Sequence, residues 1–292
     1  MNQANEQRTI LVAGVTGQQG GAAARHLLTR GYRVRGLTRN PDSDKAKRIK
    51  QQGVELVAGD MADRASLDKA LAGAYGVFSV QNFWEAGAEA EVQQGKTLAD
   101  AAFASDIKHL VYTSVGSAHR ATGIPHFDTK WAIEQHIRHL DLPATILRPV
   151  FFMDNWATPG VKQMIDAGTL MMPLSPDTRV QQIAVDDIGA LAAMAFDDPQ
   201  TWQGRDVDIA GDEPTMQETT EILSRVLARQ VQYQQIAWDD FAQAMGPEYE
   251  VMFRWFEDVG YEADIASLRQ AYPGLRTLEG FLRESGWERT AA

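Results

Sequence analysis

The sequence predicts a doubly wound α/β fold, a parallel sheet with helices on both faces, continued by a smaller and mostly helical C-terminal portion. Three observations carry this expectation. From Thr9 to Pro149, short runs rich in Ile, Leu and Val alternate with stretches long enough to be helices. The first such run, Thr9-Ile10-Leu11-Val12-Ala13, leads straight into glycines spaced G-x-x-G-x-x-G at Gly14, Gly17 and Gly20. From Val150 onward the alternation loosens, and Trp, Phe and Met become frequent. Strands separated by helices at this spacing are βαβ units, which build parallel sheets through right-handed crossovers.

In that setting the glycines have distinct tasks. Gly14 permits the tight turn out of the strand, Gly17 lets a pyrophosphate approach the backbone, and Gly20 lets the following helix lie against the sheet. Thr16 and Gln18 fill the turn. Phosphates placed there meet unpaired N–H groups and the positive end of the helix dipole. The expected organisation is therefore a dinucleotide-binding domain over residues 1–150. A mixed α/β portion over 151–292 closes a substrate cleft, with some of its segments returning to the sheet.

The remaining elements follow in order. Gly31 ends the first helix, and Tyr32 to Thr38 alternates as a second strand. Arg39 follows where an NAD site places an acid for the ribose 2′-hydroxyl, and no carboxylate occurs before Asp42. An arginine there pairs with a 2′-phosphate, which favours NADP over NAD. Lys45, Lys47 and Arg48 suit a solvated helix face. Val54 to Ala58 is a third strand ending at Gly59 and Asp60, a carboxyl-end position beside the adenine. Arg64 to Leu71 is a short helix. Tyr75 to Val80 is a fourth strand ending in Gln81, Asn82, Phe83 and Trp84. Glu89 to Ser105 is a long amphipathic helix, and His109 to Ser114 a fifth strand. Pro125 opens a helix that carries His126 and Lys130 on one face. Ala144 to Pro149 is the sixth strand.

Beyond it, Phe151 to Asn155 leaves the sheet, and Ile183 to Ile188 leads into an alanine-rich helix through Phe196. Val207 to Ala210 is a further strand. Thr215 and Glu218 form a capping box for Met216 to Arg229. Trp238 to Gly286 reads as helical, its aromatic and Met residues serving as core, with a minority able to line an apolar lid.

Composition narrows the class. The chain has 292 residues, 44 % hydrophobic and 23 % charged, which suits a soluble globular protein and not a disordered one. A formal charge of −11 argues against nucleic acid or anionic membranes as partners. With no cysteine there is no disulfide framework, thiolate nucleophile or Cys-based zinc site, and no metal site is expected. No apolar run reaches membrane-spanning length, and Met1 to Arg8 lacks a signal-peptide core. The expected location is the cytoplasm.

Together these residues resemble the NmrA-like branch of the atypical short-chain dehydrogenases/reductases over nearly the whole chain. The carriers are Gly14 to Gly21, Thr38-Arg39-Asn40-Pro41, Gly59-Asp60, Asn82-Phe83-Trp84-Glu85, Gln94-Gly95-Lys96, His126 to Lys130, and Phe152 with Asn155. The resemblance implies a Rossmann domain that prefers NADP(H), with a C-terminal part walling the substrate cleft. It implies Gly14 to Gln18 at the pyrophosphate, Arg39 at the 2′-phosphate and Gly59-Asp60 at the adenine. Val80, Gln81 and Asn82 would lie along the ribose, Lys130 at the nicotinamide ribose, and Phe152 to Asn155 beside the nicotinamide. Two positions that are basic in a sensor member of the family are Ser43 and Gln93 here.

The wider superfamily carries Tyr-x-x-x-Lys, in which a phenol protonates a carbonyl oxygen. The tyrosine position is His126 here, while Lys130 is retained. Phe127-x-x-Lys130 also resembles the isoflavone and benzylic-ether reductases, whose lysine serves proton transfer. Lys130, His126 and Ser114 are the candidate catalytic residues. Two functions fit. One is an NADPH-dependent reductase of a conjugated, apolar acceptor such as a quinone, an enone or a dye, as implied by related reductases. The other is a non-catalytic sensor of the NADPH/NADP ratio that regulates a partner protein. An isomerase or epimerase holding NAD tightly is disfavoured by Arg39 and by the missing tyrosine. A homodimer is compatible with either.

Overall fold

The computed structural model describes residues 5–287. In chain order, β1 (Thr9–Val12), α1 (Gln18–Thr29), β2 (Arg33–Thr38), α2 (Asp44–Gln51), β3 (Glu55–Ala58) and α3 (Arg64–Leu71) open the chain. Next come β4 (Gly76–Ser79), α4 (Phe83–Ala86), α5 (Ala88–Ala104), β5 (His109–Thr113), α6 (Pro125–His139) and β6 (Ala144–Pro149). They are followed by β7 (Phe151–Phe152), α7 (Pro159–Asp166), β8 (Thr169–Met172), β9 (Gln182–Ile183), α8 (Val185–Asp197), α9 (Pro199–Trp202) and β10 (Asp206–Ile209). The chain closes with α10 (Met216–Leu227), β11 (Gln232–Gln235), α11 (Trp238–Met245), α12 (Pro247–Asp258), α13 (Ile265–Ala271) and α14 (Leu278–Glu284). Two compact units result: one runs to Arg148 and takes in Val185–Val207, the other comprises Pro149–Ala184 and the chain from Asp208 on.

The first unit is built on a seven-stranded sheet of order β10-β6-β5-β4-β1-β2-β3. Its β1–β2, β1–β4, β2–β3, β4–β5 and β5–β6 ladders are all parallel. Ile10, Leu11 and Val12 are fully buried, as a central strand covered on both faces requires. The chain winds one way from β1 to β3 and the other way from β4 to β6, so the topological switch falls between β1 and β4. Ligands of such sheets bind beyond the carboxyl ends of the strands at that point.

On one face, Leu67 and Leu71 of α3, Leu98 and Ala102 of α5, and Ile133 and Ile137 of α6 pack over Leu110 and Tyr112. On the other face α1 lies against α8 with almost no side chain between them. A Cβ added to Gly189 would stand 2.5 Å from the Ala22 carbonyl carbon. The alanine-rich sequence of α8 is what permits that approach.

His109 belongs to this second face, where its ring meets Phe196 with centroids 5.2 Å apart and its Nε2 bonds Thr145 Oγ1 at 2.8 Å. Burial pushes its pKa down to about 4. The unfolded chain takes up this proton near pH ~6.5 and the folded chain only near 4. Stability contributed by the neutral ring is therefore complete above the higher value and is lost as pH falls toward the lower one. The loss is on the order of 3 kcal/mol. Urea midpoints followed with pH should fall over that window in the parent and fall less in His109→Gln; parallel curves would show that the acid sensitivity lies elsewhere.

In the second unit β8 and β11 pair in parallel, as do β7 and β9. These short pairs lie outside the expected strands, for physical reasons. β9 is two residues long, and β11 is Gln-Tyr-Gln-Gln, largely exposed and without an apolar pattern. Ile183, expected in the lead-in to a helix, pairs with Phe152, and α8 begins at Val185. The stretch from Trp238 to Gly286 is four helices, not one continuous run. Gly246, at φ 92°, breaks the first from Pro247, and two further connections interrupt the rest. The capping box forms: Glu218 N donates to Thr215 Oγ1 at 3.0 Å, and Thr215 N to Glu218 Oε2 at 2.7 Å. Phe241, Phe253 and Phe256 are buried, with centroids 4.9 Å apart for the first pair and 5.2 Å for the second, so these aromatics are core.

Candidate dinucleotide site

The switch point carries the glycine loop. Gly14 sits at φ 63°, a conformation that disfavours a side chain, and a Cβ there would lie 3.0 Å from Val80 Cγ1. A Cβ on Gly20 would lie 2.2 Å from the Gly14 carbonyl oxygen, so α1 can pack on the turn only with glycine there. Gly17 differs from both. It is exposed, its φ of −88° is ordinary, and it forms the N-cap of α1 without any side-chain hydrogen bond to the helix. No acid occupies the first turn of α1. The helix thus presents its first amides and its positive end uncapped, beside half-buried Thr16 and exposed Gln18. That cradle fits a pyrophosphate.

The other strands deliver residues to the same edge of the sheet. β2 leads into Arg39, which is exposed and ion-paired with Glu85 of α4. β3 ends at Gly59, where a Cβ would lie 2.7 Å from Leu37 Cδ1, and at Asp60, whose Oδ1 accepts from Ala62 N at 2.9 Å. β4 is followed by Val80, Gln81 and Asn82. Gln81 is buried: its Nε2 donates to Ser79 Oγ at 3.0 Å, and among the described residues its Oε1 has no partner. Asn82 caps α4, its Oδ1 accepting from Trp84 N at 3.2 Å. Beyond β5, Ser114 is buried, with its Oγ likewise unpartnered among the described residues.

α6 brings the lysine to this edge. Lys130 Nζ donates to Glu91 Oε1 at 2.8 Å and to the Gln81 carbonyl at 3.4 Å. Glu91, on the first turn of α5, is fully buried, and its other oxygen accepts from Thr129 Oγ1 at 2.5 Å. The ammonium therefore stands between a buried carboxylate and a strand-end carbonyl. His126 lies one turn earlier, among Phe83, Trp84 and Phe127 with ring centroids 5.7, 5.2 and 4.9 Å away. Burial, reinforced by the Lys130 charge, pushes its pKa down to about 3. At neutral pH it is an uncharged ring and holds no imidazolium proton to donate.

The first unit thus gathers the loop, Arg39, Gly59, Asp60, Val80, Gln81, Asn82, Ser114, His126 and Lys130. Phe152 and Asn155 belong to the second unit. Phe152 pairs with Ile183, Asn155 lies on the 3₁₀ turn Met153–Ala157, and both are half-buried. Two roles escaped the sequence reading, those of Glu91 and Glu85. For Glu91 a signal existed. It shares a helix stripe with Gly95, Leu98 and Ala102, all buried, so an acid stands where the pattern calls for an apolar residue. Glu85 stood in a motif of the family resemblance but with no role of its own, because its meaning depends on a contact 46 residues away. Among the described residues no cluster of His, Cys, Asp or Glu could hold a metal, and no helix is long and apolar enough to cross a membrane.

A glycine turn at the switch point of a doubly wound parallel sheet defines a nucleotide-binding type of α/β protein. The chain belongs to the NmrA-like family, whose model matches residues 6–282. A relative from Streptomyces griseus, a (4-alkanoyl-5-oxo-2,5-dihydrofuran-3-yl)methyl phosphate reductase, is 32 % identical over 82 % of this chain and 81 % of its own length. Among solved structures, the Citrobacter triphenylmethane reductase complexed with NADP(H) superposes with a TM-score of 0.81 at 23 % identity, covering 95 % of this chain and 99 % of that one. NmrA, a negative transcriptional regulator in complex with NADP, superposes with a TM-score of 0.78 at 23 % identity, covering 96 % and 95 %. At that identity the two structures show the fold.

Proposed function

We propose that the chain binds NADP(H) on the first unit and acts as an NADPH-dependent reductase of a conjugated, apolar acceptor such as a quinone, an enone or a dye. The observation that carries this reading is the Lys130 ammonium, held by buried Glu91 beside the carboxyl end of β4, with His126 and not a tyrosine four residues before it. NADPH, when bound, supplies a hydride. The loop amides and Arg39 hold its phosphates, and Lys130 holds the nicotinamide ribose or the acceptor.

Hydride arriving on a cationic dye cancels its charge, and on a quinone or an enone it spreads negative charge over several atoms. A fixed ammonium stabilises that charge, and no single oxyanion requires a dedicated acid. Neutral His126, with Phe83 and Trp84, offers an apolar, aromatic surface. Ser114, with a buried and unclaimed hydroxyl, can donate to the acceptor or to the nicotinamide side. The Streptomyces relative is named as a (4-alkanoyl-5-oxo-2,5-dihydrofuran-3-yl)methyl phosphate reductase and the Citrobacter neighbour as a triphenylmethane reductase; both names support a conjugated acceptor, and the phosphate in the first is not apolar. The second reading is sensing of the NADPH/NADP ratio with a partner protein, supported by the neighbour titled a transcriptional regulator. Either role suits the cytoplasm.

NADPH oxidation across a panel of quinones, enones and cationic dyes separates the two. Turnover on any of them supports the reductase. Silence on all, together with partner binding that follows the cofactor's redox state, supports the sensor. Arg39→Ala tests the cofactor itself. It should weaken NADPH at least about tenfold and NADH less than about twofold, since only the former offers a phosphate for a charge-assisted pair. Equal losses in calorimetric titration would remove the assignment.

A further inference from the structure

The guanidinium assigned to the 2′-phosphate already has a partner. Arg39 follows β2, and Glu85 lies on α4, just after β4. In the sheet, β1 runs between those two strands, so the pair reaches across the strand whose exit forms the glycine loop. Asp60, after β3, is a further negative neighbour of Arg39 and a weaker one.

We propose that Glu85 is a specificity-determining residue, the resident counter-ion of Arg39 that the 2′-phosphate of NADP(H) displaces. This rests on the NADP(H) reading above and deepens it. The two side chains are 64 % and 57 % exposed. An ion pair so open to water contributes at most about a fivefold factor, and it therefore exchanges easily. A phosphate monoester carries a charge of about −1.5 to −2 and can accept two parallel N–H bonds from one guanidinium, so it outcompetes a single carboxylate. A ribose 2′-hydroxyl is neutral and offers no such gain, so NAD(H) leaves Arg39 with Glu85. The acid thus lowers the affinity for the phosphorylated dinucleotide by the cost of its own displacement, and it keeps the arginine satisfied when that dinucleotide is absent.

The test is titration of the full chain with NADPH and with NADH, read by calorimetry, for the parent, Glu85→Gln, Arg39→Ala and the double variant. Glu85→Gln should tighten NADPH about two- to fivefold, the range that an exposed pair corresponds to. NADH should stay at the parental value. In the Arg39→Ala background the same substitution should do nothing for NADPH, because the competition has lost its object. Glu85→Ala should move NADPH in the same direction as Glu85→Gln, and thermal unfolding confirms that each variant is folded.

Equal tightening of both dinucleotides overturns the proposal, as does a gain that persists without Arg39; either makes Glu85 a general repulsive charge. An unchanged NADPH affinity in Glu85→Gln overturns it as well. If Arg39→Ala leaves the NADPH-to-NADH ratio at the parental value, the phosphate assignment of Arg39 fails, and the role of Glu85 with it. If that ratio collapses while Glu85→Gln is silent, the assignment stands and only the counter-ion role is lost.

Discussion

Valine at position 17 is expected to cost at least about a hundredfold in NADPH affinity, close to 3 kcal/mol, while the thermal unfolding transition stays near that of the parent. The reason lies in how the three loop glycines differ. Gly17 is exposed and has an ordinary φ of −88°, so a side chain strains nothing in the backbone itself. Its Cβ would stand 3.2 Å from the Gly14 carbonyl, a crowding that small local shifts relieve. The branched side chain would nevertheless project from the helix N-cap, where a diphosphate has to meet the amides. Gly20→Ala is the control with the opposite signature. Its Cβ, 2.2 Å from the Gly14 oxygen, forces α1 off the turn and should lower the unfolding midpoint as well. Calorimetric titration beside a thermal melt separates the two; tight NADPH binding by Gly17→Val would remove the loop from the site.

Lys130→Met should reduce turnover on a good acceptor at least about tenfold, upwards of 1.4 kcal/mol of transition-state stabilisation. It should also destabilise the fold, by about 3–5 kcal/mol, because removing one partner of a buried pair strands the other. Glu91 is fully buried, and Thr129 Oγ1 alone does not neutralise it. Adding Glu91→Leu to Lys130→Met should recover most of the stability, since an apolar replacement of both ions is often neutral or favourable. It should recover none of the turnover. The double variant thus divides structure from chemistry. Full turnover in a stable double variant would show that the ammonium serves folding alone.

Much of the first unit was legible because its physics is local. Continuous apolar runs mark strands buried on both faces, and β6 and α3 lie where the pattern puts them, as does the capping box at Thr215 in the second unit. Strand-end positions were legible too, because parallel topology alone sends Arg39, Asp60, Gln81 and Ser114 to one edge. What escaped depends on pairing across the chain. β7 and β9 are two residues each, and the β8–β11 ladder includes a polar, exposed strand with no periodicity to detect. Glu85 is one surface acid among many until Arg39 is brought to it. His126 could be placed on the lysine's helix face from spacing, but its neutral state follows only from the aromatic surroundings and from the nearby ammonium.

The seam between α1 and α8 has a consequence of its own. Gly189 meets the backbone at Ala22 so closely that no methyl group can intervene. The aim of the loop amides is therefore set from behind, by a residue of α8 far along the chain from the loop itself. Drift at that distant glycine would surface in the laboratory as poor nucleotide retention, and the culprit would be sought in the wrong place.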